Sequence, residues 1–176
     1  MRGYAQLLSG SRTAGAWAPW YVATRRALQP GDLVLLELAT VADGYWSDIT
    51  RMAVVGTPDI RQRELRQAVD AAVAAAIAAC RPGQPARTPD AAARAALGPF
   101  SLTGAFPHYT GHGVGFRYHE PDPWLHPDST DVLEAGMVCT IEPGVYIEGV
   151  GGVRIEENIA IGVDGAEGLS MPARPW

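Results

Sequence analysis

Five side chains could do chemistry as a set: Glu37, Asp48, His112, Glu142 and Glu156. Four carboxylates and one imidazole form a hard, oxygen-rich donor set. It suits two divalent ions, such as Mn, Co, Fe or Zn, better than a single structural zinc. Taken singly, each residue means little. A lone acidic residue in a strand is ordinarily exposed or salt-bridged, and a lone histidine in a loop is ordinarily a surface group. The order and spacing of the set carry the reading. The loop TGHGVGFRYHEP, residues 110–121, holds two of the chain's four histidines, and His108 lies just before it.

The elements that must position these residues follow from pattern. GDLVLLELAT (31–40) is a continuous apolar run opened by a Gly-Asp turn and predicts a buried strand. Asp43-Gly44 is a hairpin signal, so YWSDITRMAVV (45–55) is expected to run antiparallel to it. Such a pair can bring Glu37 and Asp48 onto one face. Two adjacent carboxylates in an apolar setting repel each other and cost free energy to bury, a cost that a cation removes. Thr57-Pro58 predicts the start of a helix carrying Ile60, Leu65, Val69, Val73 and Ile77 and ending near Arg81-Pro82-Gly83. Thr88-Pro89 predicts a shorter helix stopped at Gly98. Residues 1–30 show no clear period and read as irregular, and 99–134 read as loops around short strands. Segments 137–148 and 151–162 are strand-like, so Glu142 and Glu156 emerge from β-structure. The pattern is an α+β fold with an antiparallel sheet.

Length and composition bound the rest. The chain has 176 residues, enough for one domain, and at 47% hydrophobic it can bury a sizeable core. Net charge is −5, and no basic run is present, which argues against nucleic acid and anionic membrane as partners. Cys80 and Cys139 form no CxxC pair and read as free thiols in a reducing compartment. The first residues hold no apolar run of signal-peptide length and no stretch approaches a membrane span, so a cytoplasmic location is expected.

Four segments, GDLVLLELATVADGYWSDITR, HYTGHGVGFRYHEP, MVCTIEPGVY and GGVRIEEN, resemble in order the signatures of the pita-bread metallopeptidases. The Glu-Pro-Gly and Gly-His-Gly segments look most like the aminopeptidase P and prolidase branch. The resemblance runs from about Ser9 to Gly162 and implies the pita-bread fold, a curved antiparallel sheet flanked by helices. It implies that Asp48 and Glu156 bridge two divalent ions, Mn foremost, with Co, Fe or Zn as alternatives. His112 and Glu142 would complete the shell of one ion, and Glu37 would bind the other. A metal-bridging hydroxide would attack the N-terminal peptide bond of an Xaa-Pro substrate, Glu142 relaying its protons. The resemblance places His108 and His119 on substrate and tetrahedral intermediate, Arg154 against the carboxylate cluster, and Tyr146 as a wall residue. The expected partner is a short peptide substrate, with a homodimer left open.

The chain departs from this pattern in three ways. The family usually has Asp where Glu37 stands. An added methylene moves the carboxylate by about 1.5 Å, so the ion held by Glu37 is expected to bind more weakly than its neighbour. A metal titration showing two equally tight sites would contradict this. A substrate-contacting histidine of the family falls on Trp20, which lacks the donor and acceptor of imidazole and offers an apolar or cation-π wall instead. Finally, Met1 falls near the middle of the family architecture. The expectation is a single, partial pita-bread catalytic domain over residues 1–176, without the usual N-terminal domain, and with a sheet edge and an apolar surface exposed. Two alternatives stand beside the peptidase reading. One is a non-catalytic pita-bread module that binds peptides or proteins. The other is a hydrolase of a small non-peptide C–N bond, resembling creatinase or an ectoine-type hydrolase.

Overall fold

The computed structural model describes residues 2–174 and 176. Strands β1 (Arg2–Ser9), β2 (Leu33–Ala42) and β3 (Tyr45–Val54) form one antiparallel sheet in the order β1-β2-β3. Helices α1 (Ile60–Ala79) and α2 (Arg87–Leu97) follow. The second half holds short strands: β4 (Gly111–His112), β5 (Trp124–Leu125), β6 (Val138–Ile141), β7 (Gly144–Ile147), β8 (Gly151–Arg154), β9 (Glu157–Ile161) and β10 (Ala166–Gly168). They pair as β4-β5, β7-β8 and β10-β9-β6.

The β2–β3 hairpin forms as its turn signal predicts. Glu37 pairs with Thr50 and Ala39 with Asp48, which puts Glu37 and Asp48 on one face, one row apart. Asp43 and Gly44 supply the positive φ angles of the turn, 51° and 89°.

The N-terminal segment corrects the sequence reading. Residues 2–9 are not irregular but pair with β2 along their whole length. Gln6 and Leu8 are buried while Leu7 is exposed. The alternation is masked because the inward face carries Tyr4 and Gln6, polar groups turned toward the carboxylates, while the outward face carries apolar Ala5 and Leu7. On that outward face Leu38 is exposed too.

Helix α1 starts at Ile60, two residues beyond the Thr57-Pro58 signal. Asp59 is the cap: its side chain accepts from the Gln62 amide, and Gln62 accepts in return from the Asp59 amide. Helix α2 takes Thr88 into its first turn, and Ala86 precedes it without a side-chain cap. Both helices bury small residues, Ala68, Ala72, Ala76 and Ala93 among them, which lets them pack closely on each other and on the second-half strands. Cys80 and Cys139 are buried and unpaired. Among the described residues no helix is long and apolar enough to cross a membrane.

The two long strand-like segments are each broken. One breaks at Glu142-Pro143, between β6 and β7, and the other at Ile155-Glu156, between β8 and β9. The breaks face each other, since Ile141 pairs with Glu157 on one side and Gly144 with Arg154 on the other. Proline removes a ladder donor at one break. The freed amides find other partners: Glu142 N–H donates to the Thr110 carbonyl at 2.7 Å and Glu156 N–H to the Thr50 carbonyl at 3.3 Å.

Candidate metal centre

Each candidate ligand is held by a different local device. Asp48 lies on β3, which the Asn158 side chain stitches to β9: its amide nitrogen donates to the Asp48 carbonyl at 2.7 Å and its oxygen accepts from the Asp48 amide at 3.3 Å. His112 lies on β4 between two glycines that permit close backbone approach. A Cβ on Gly111 would lie 1.9 Å from the Thr140 carbonyl oxygen, and one on Gly113 would lie 2.4 Å from that of Asp122. The glycines of the Gly-His-Gly segment therefore seat the imidazole against β6. The His112 amide donates to Thr140 Oγ1. Glu142 and Glu156 project from the two strand breaks, and Thr50 donates to Glu156 Oε2 at 2.7 Å.

Four of the five converge. His112 Nε2 lies 3.6 Å from Glu142 Oε1 and 3.8 Å from Asp48 Oδ2, too far for hydrogen bonds. Two atoms bound tetrahedrally to one cation at about 2.1 Å each stand about 3.4 Å apart, close to these separations. His112, Glu142 and Glu156 present ligand atoms within 4.8 Å of one another, and so do Asp48, His112 and His119. Glu37 belongs to neither group. Arg154 Nη2 donates to its Oε2, and the Tyr118 hydroxyl donates to its Oε1 at 2.8 Å.

The polar atoms test the fit to a metal. Asp48 Oδ1, His112 Nε2 and Glu156 Oε1 are buried without a hydrogen-bond partner among the described residues. Buried polar atoms of this kind are costly and need an occupant. His112 Nδ1 lies 2.9 Å from the Gly113 carbonyl oxygen, which fixes the proton on Nδ1 and leaves Nε2 as a bare donor pair. The donor set fits divalent ions.

The electrostatics agree. Burial, then the Glu37 charge, pushes Asp48 up to about 7. Burial also drives Glu142 and Glu156 well above the usual carboxylate range. Burial lowers His112 to about 4, so its ring is neutral at neutral pH. A bound cation requires Asp48 ionised and His112 neutral. Protons therefore compete for Asp48 below about pH 7, while His112 releases none. Metal affinity is expected to climb as pH rises toward 7, about tenfold per unit for each proton displaced, and to climb less steeply above it. Glu142 and Glu156, raised as well, add to the slope; calorimetric titration with Mn from about pH 5 to 8 checks this, and a flat profile would contradict proton displacement from these carboxylates.

A cavity of about 580 Å³ opens onto these groups, and its wall includes Trp17, Tyr109, His119, Glu142 and Arg154. That volume suits a small ligand such as a short peptide. His119 stacks on His112 with ring centroids 3.9 Å apart, and no described residue bonds its ring nitrogens. His108 also lines the cavity, but both its nitrogens are engaged, with the Tyr109 carbonyl at 2.7 Å and the Tyr146 hydroxyl at 2.8 Å. Tyr146 stands behind the wall, where Arg154 donates to its oxygen at 3.0 Å. Trp20 is 70% exposed and packs edge-on against Trp17, while Trp17, Ala18 and Pro19 form the wall at that segment. His126 lies away from the site, beside Asp128. Sequence reasoning missed Thr50, Tyr118 and Asn158. Thr50 carried a signal, standing two residues after Asp48 and thus on the same face. Tyr118 and Asn158 carried none.

The chain belongs to metallopeptidase family M24, whose model matches residues 4–162. Its pita-bread α+β architecture matches the catalytic half of prolidase structures. The chain is 41% identical over 168 residues to the Xaa-Pro dipeptidase of Pyrococcus furiosus, covering 96% of this chain and 47% of that protein. The solved structure of the prolidase from that organism superposes with a TM-score of 0.90 at 40% identity, over 97% of this chain and 49% of that one. The X-Pro aminopeptidase of Thermotoga maritima superposes with the same score at 29% identity, over 97% of this chain and 47% of that one. The chain thus spans about half the length of the relatives it matches.

Proposed function

We propose that this chain carries the catalytic centre of a metal-dependent exopeptidase that hydrolyses N-terminal peptide bonds, with Xaa-Pro dipeptides as the first substrate class. The observation that carries the proposal is that Asp48 Oδ1, His112 Nε2 and Glu156 Oε1 are buried without a partner among the described residues, on side chains that fall into two ligand groups joined at His112, with Glu142 in one of them. Relatives named Xaa-Pro dipeptidase and prolidase support the substrate class. Two divalent ions, Mn foremost, would be held by Asp48, His112, Glu142 and Glu156, with Glu37 beside them. When bound, such ions activate water as a nucleophile and polarise the scissile carbonyl.

The residues divide the remaining work. Glu142 faces both the ligand cluster and the cavity, and it takes a proton from the attacking water and returns it to the leaving amine. His119, with its ring nitrogens free, hydrogen-bonds the oxygen on which charge develops. Arg154 lies 4.0 Å from Glu142 and bonds Glu37, so it holds these carboxylates in place. The apolar wall beside Trp17 takes the substrate side chain.

The test is a panel of Xaa-Pro dipeptides, other dipeptides and small non-peptide amides, assayed with Mn and with a chelator. Chelator-sensitive turnover of Xaa-Pro substrates is the expected result. Turnover of small amides alone would replace the peptidase reading, and bound metal without any turnover would favour a binding module.

A further inference from the structure

Glu37 differs from the other four candidate ligands in that both its oxygens are taken. Arg154 holds Oε2 and the Tyr118 hydroxyl holds Oε1 at 2.8 Å. Among the described residues, no group of three positioned to share a cation includes Glu37. The same phenol stands beside Asp48 at the cavity wall. Its hydroxyl therefore takes a Glu37 oxygen that a cation shared with Asp48 would need. The ring is fixed by stacking against His119 at 4.4 Å, Trp46 at 5.7 Å and Tyr4 at 6.3 Å. The hydroxyl cannot swing aside without disturbing that cluster.

We propose that Tyr118 is a positioning residue that sets the affinity of the second divalent ion, because its hydroxyl holds the Glu37 oxygen that this ion must take. The inference rests on the metal-centre reading above and assigns a cause to unequal occupancy. The first ion, at Glu142 and the two atoms without a described partner, His112 Nε2 and Glu156 Oε1, meets no tyrosine hydroxyl of this kind. The second must break a hydrogen bond to a charged acceptor before it can bind.

The experiment is calorimetric titration of the metal-free chain with Mn, for wild type, Tyr118→Phe and Glu37→Asp. Wild type is expected to bind one ion tightly and a second more weakly. Tyr118→Phe removes the competing donor, and its second ion is expected to bind about tenfold more tightly or better, the scale of one hydrogen bond to a charged group. Glu37→Asp withdraws the carboxylate from the hydroxyl by one methylene and is expected to shift affinity in the same direction. This second route survives if the Phe variant misfolds. Glu37→Gln added to Tyr118→Phe should abolish the gain. Two equally tight ions in wild type, or an unchanged second affinity in both single variants, would overturn the role of Tyr118 while leaving the metal centre standing. A weaker second ion in Tyr118→Phe would overturn it by making the phenol a ligand. A folded wild type that binds no ion would overturn the metal-centre reading itself, and this proposal with it.

Discussion

Exchange of Glu142 for glutamine is expected to lower kcat on an Xaa-Pro dipeptide by about 10²- to 10⁴-fold, the usual contribution of a positioned general acid–base. Glutamine keeps an oxygen directed at the ligand cluster but cannot carry a proton between water and leaving amine. Metal content should therefore fall far less than turnover. The metal-free variant should also be no less stable than wild type. Burial drives the Glu142 carboxyl well above its usual range, so its charged form is already disfavoured there before a cation arrives, and a neutral amide does not add to that cost. Steady-state kinetics beside elemental analysis of the same samples checks both statements. Turnover within tenfold of wild type, at unchanged metal content, would remove Glu142 from the proton relay.

The second large effect concerns stability. Arg154 is 4% exposed and bonds Glu37, Thr50, the Ala16 carbonyl and Tyr146. Replacing it by methionine keeps much of the volume but leaves the carboxylates without their internal cation. Breaking a buried ion pair from one side costs about 3–5 kcal/mol. For a chain of this size that is a fall in Tm of about 6–20 °C. The fall should be largest in the metal-free protein and should shrink when Mn is added, because bound cations take over part of the neutralisation. Calorimetric melting with and without Mn reads both quantities. Equal melting of wild type and variant without metal would mean that protonation alone accommodates the carboxylates.

Much of this centre was legible in the sequence, for identifiable reasons. A two-residue turn at Asp43-Gly44 fixes the hairpin register, and period-2 geometry then forces Glu37 and Asp48 onto one face. Both links are local, so they survive without knowledge of the rest. The glycines around His112 were visible, but their purpose was not, since it depends on Thr140, far along the chain, and on how the loop brings Asp122 back against Gly113. Strand β1 was hidden because the usual inward-apolar, outward-polar rule inverts where a sheet face looks onto a charged site. The breaks at Glu142 and Glu156 were only half legible: Pro143 marks one, while the other has no local signal and exists because Thr50 offers its carbonyl from another strand. The Tyr118 bond to Glu37 spans 81 residues, and no spacing within the loop announces it.

The paired breaks also bear on how strain moves through the molecule. The Glu142 amide is fastened to Thr110, two residues before His112, and the Glu156 amide to Thr50, two residues after Asp48. Each late ligand is therefore bolted through its own backbone to the segment bearing an early one, like crossed struts sharing two joints. A displacement that pulls one carboxylate toward a cation drags the strand or loop carrying its counterpart. In the proposed metal centre the four groups would close as a single frame, their spacing set by the main chain more than by side-chain rotamers.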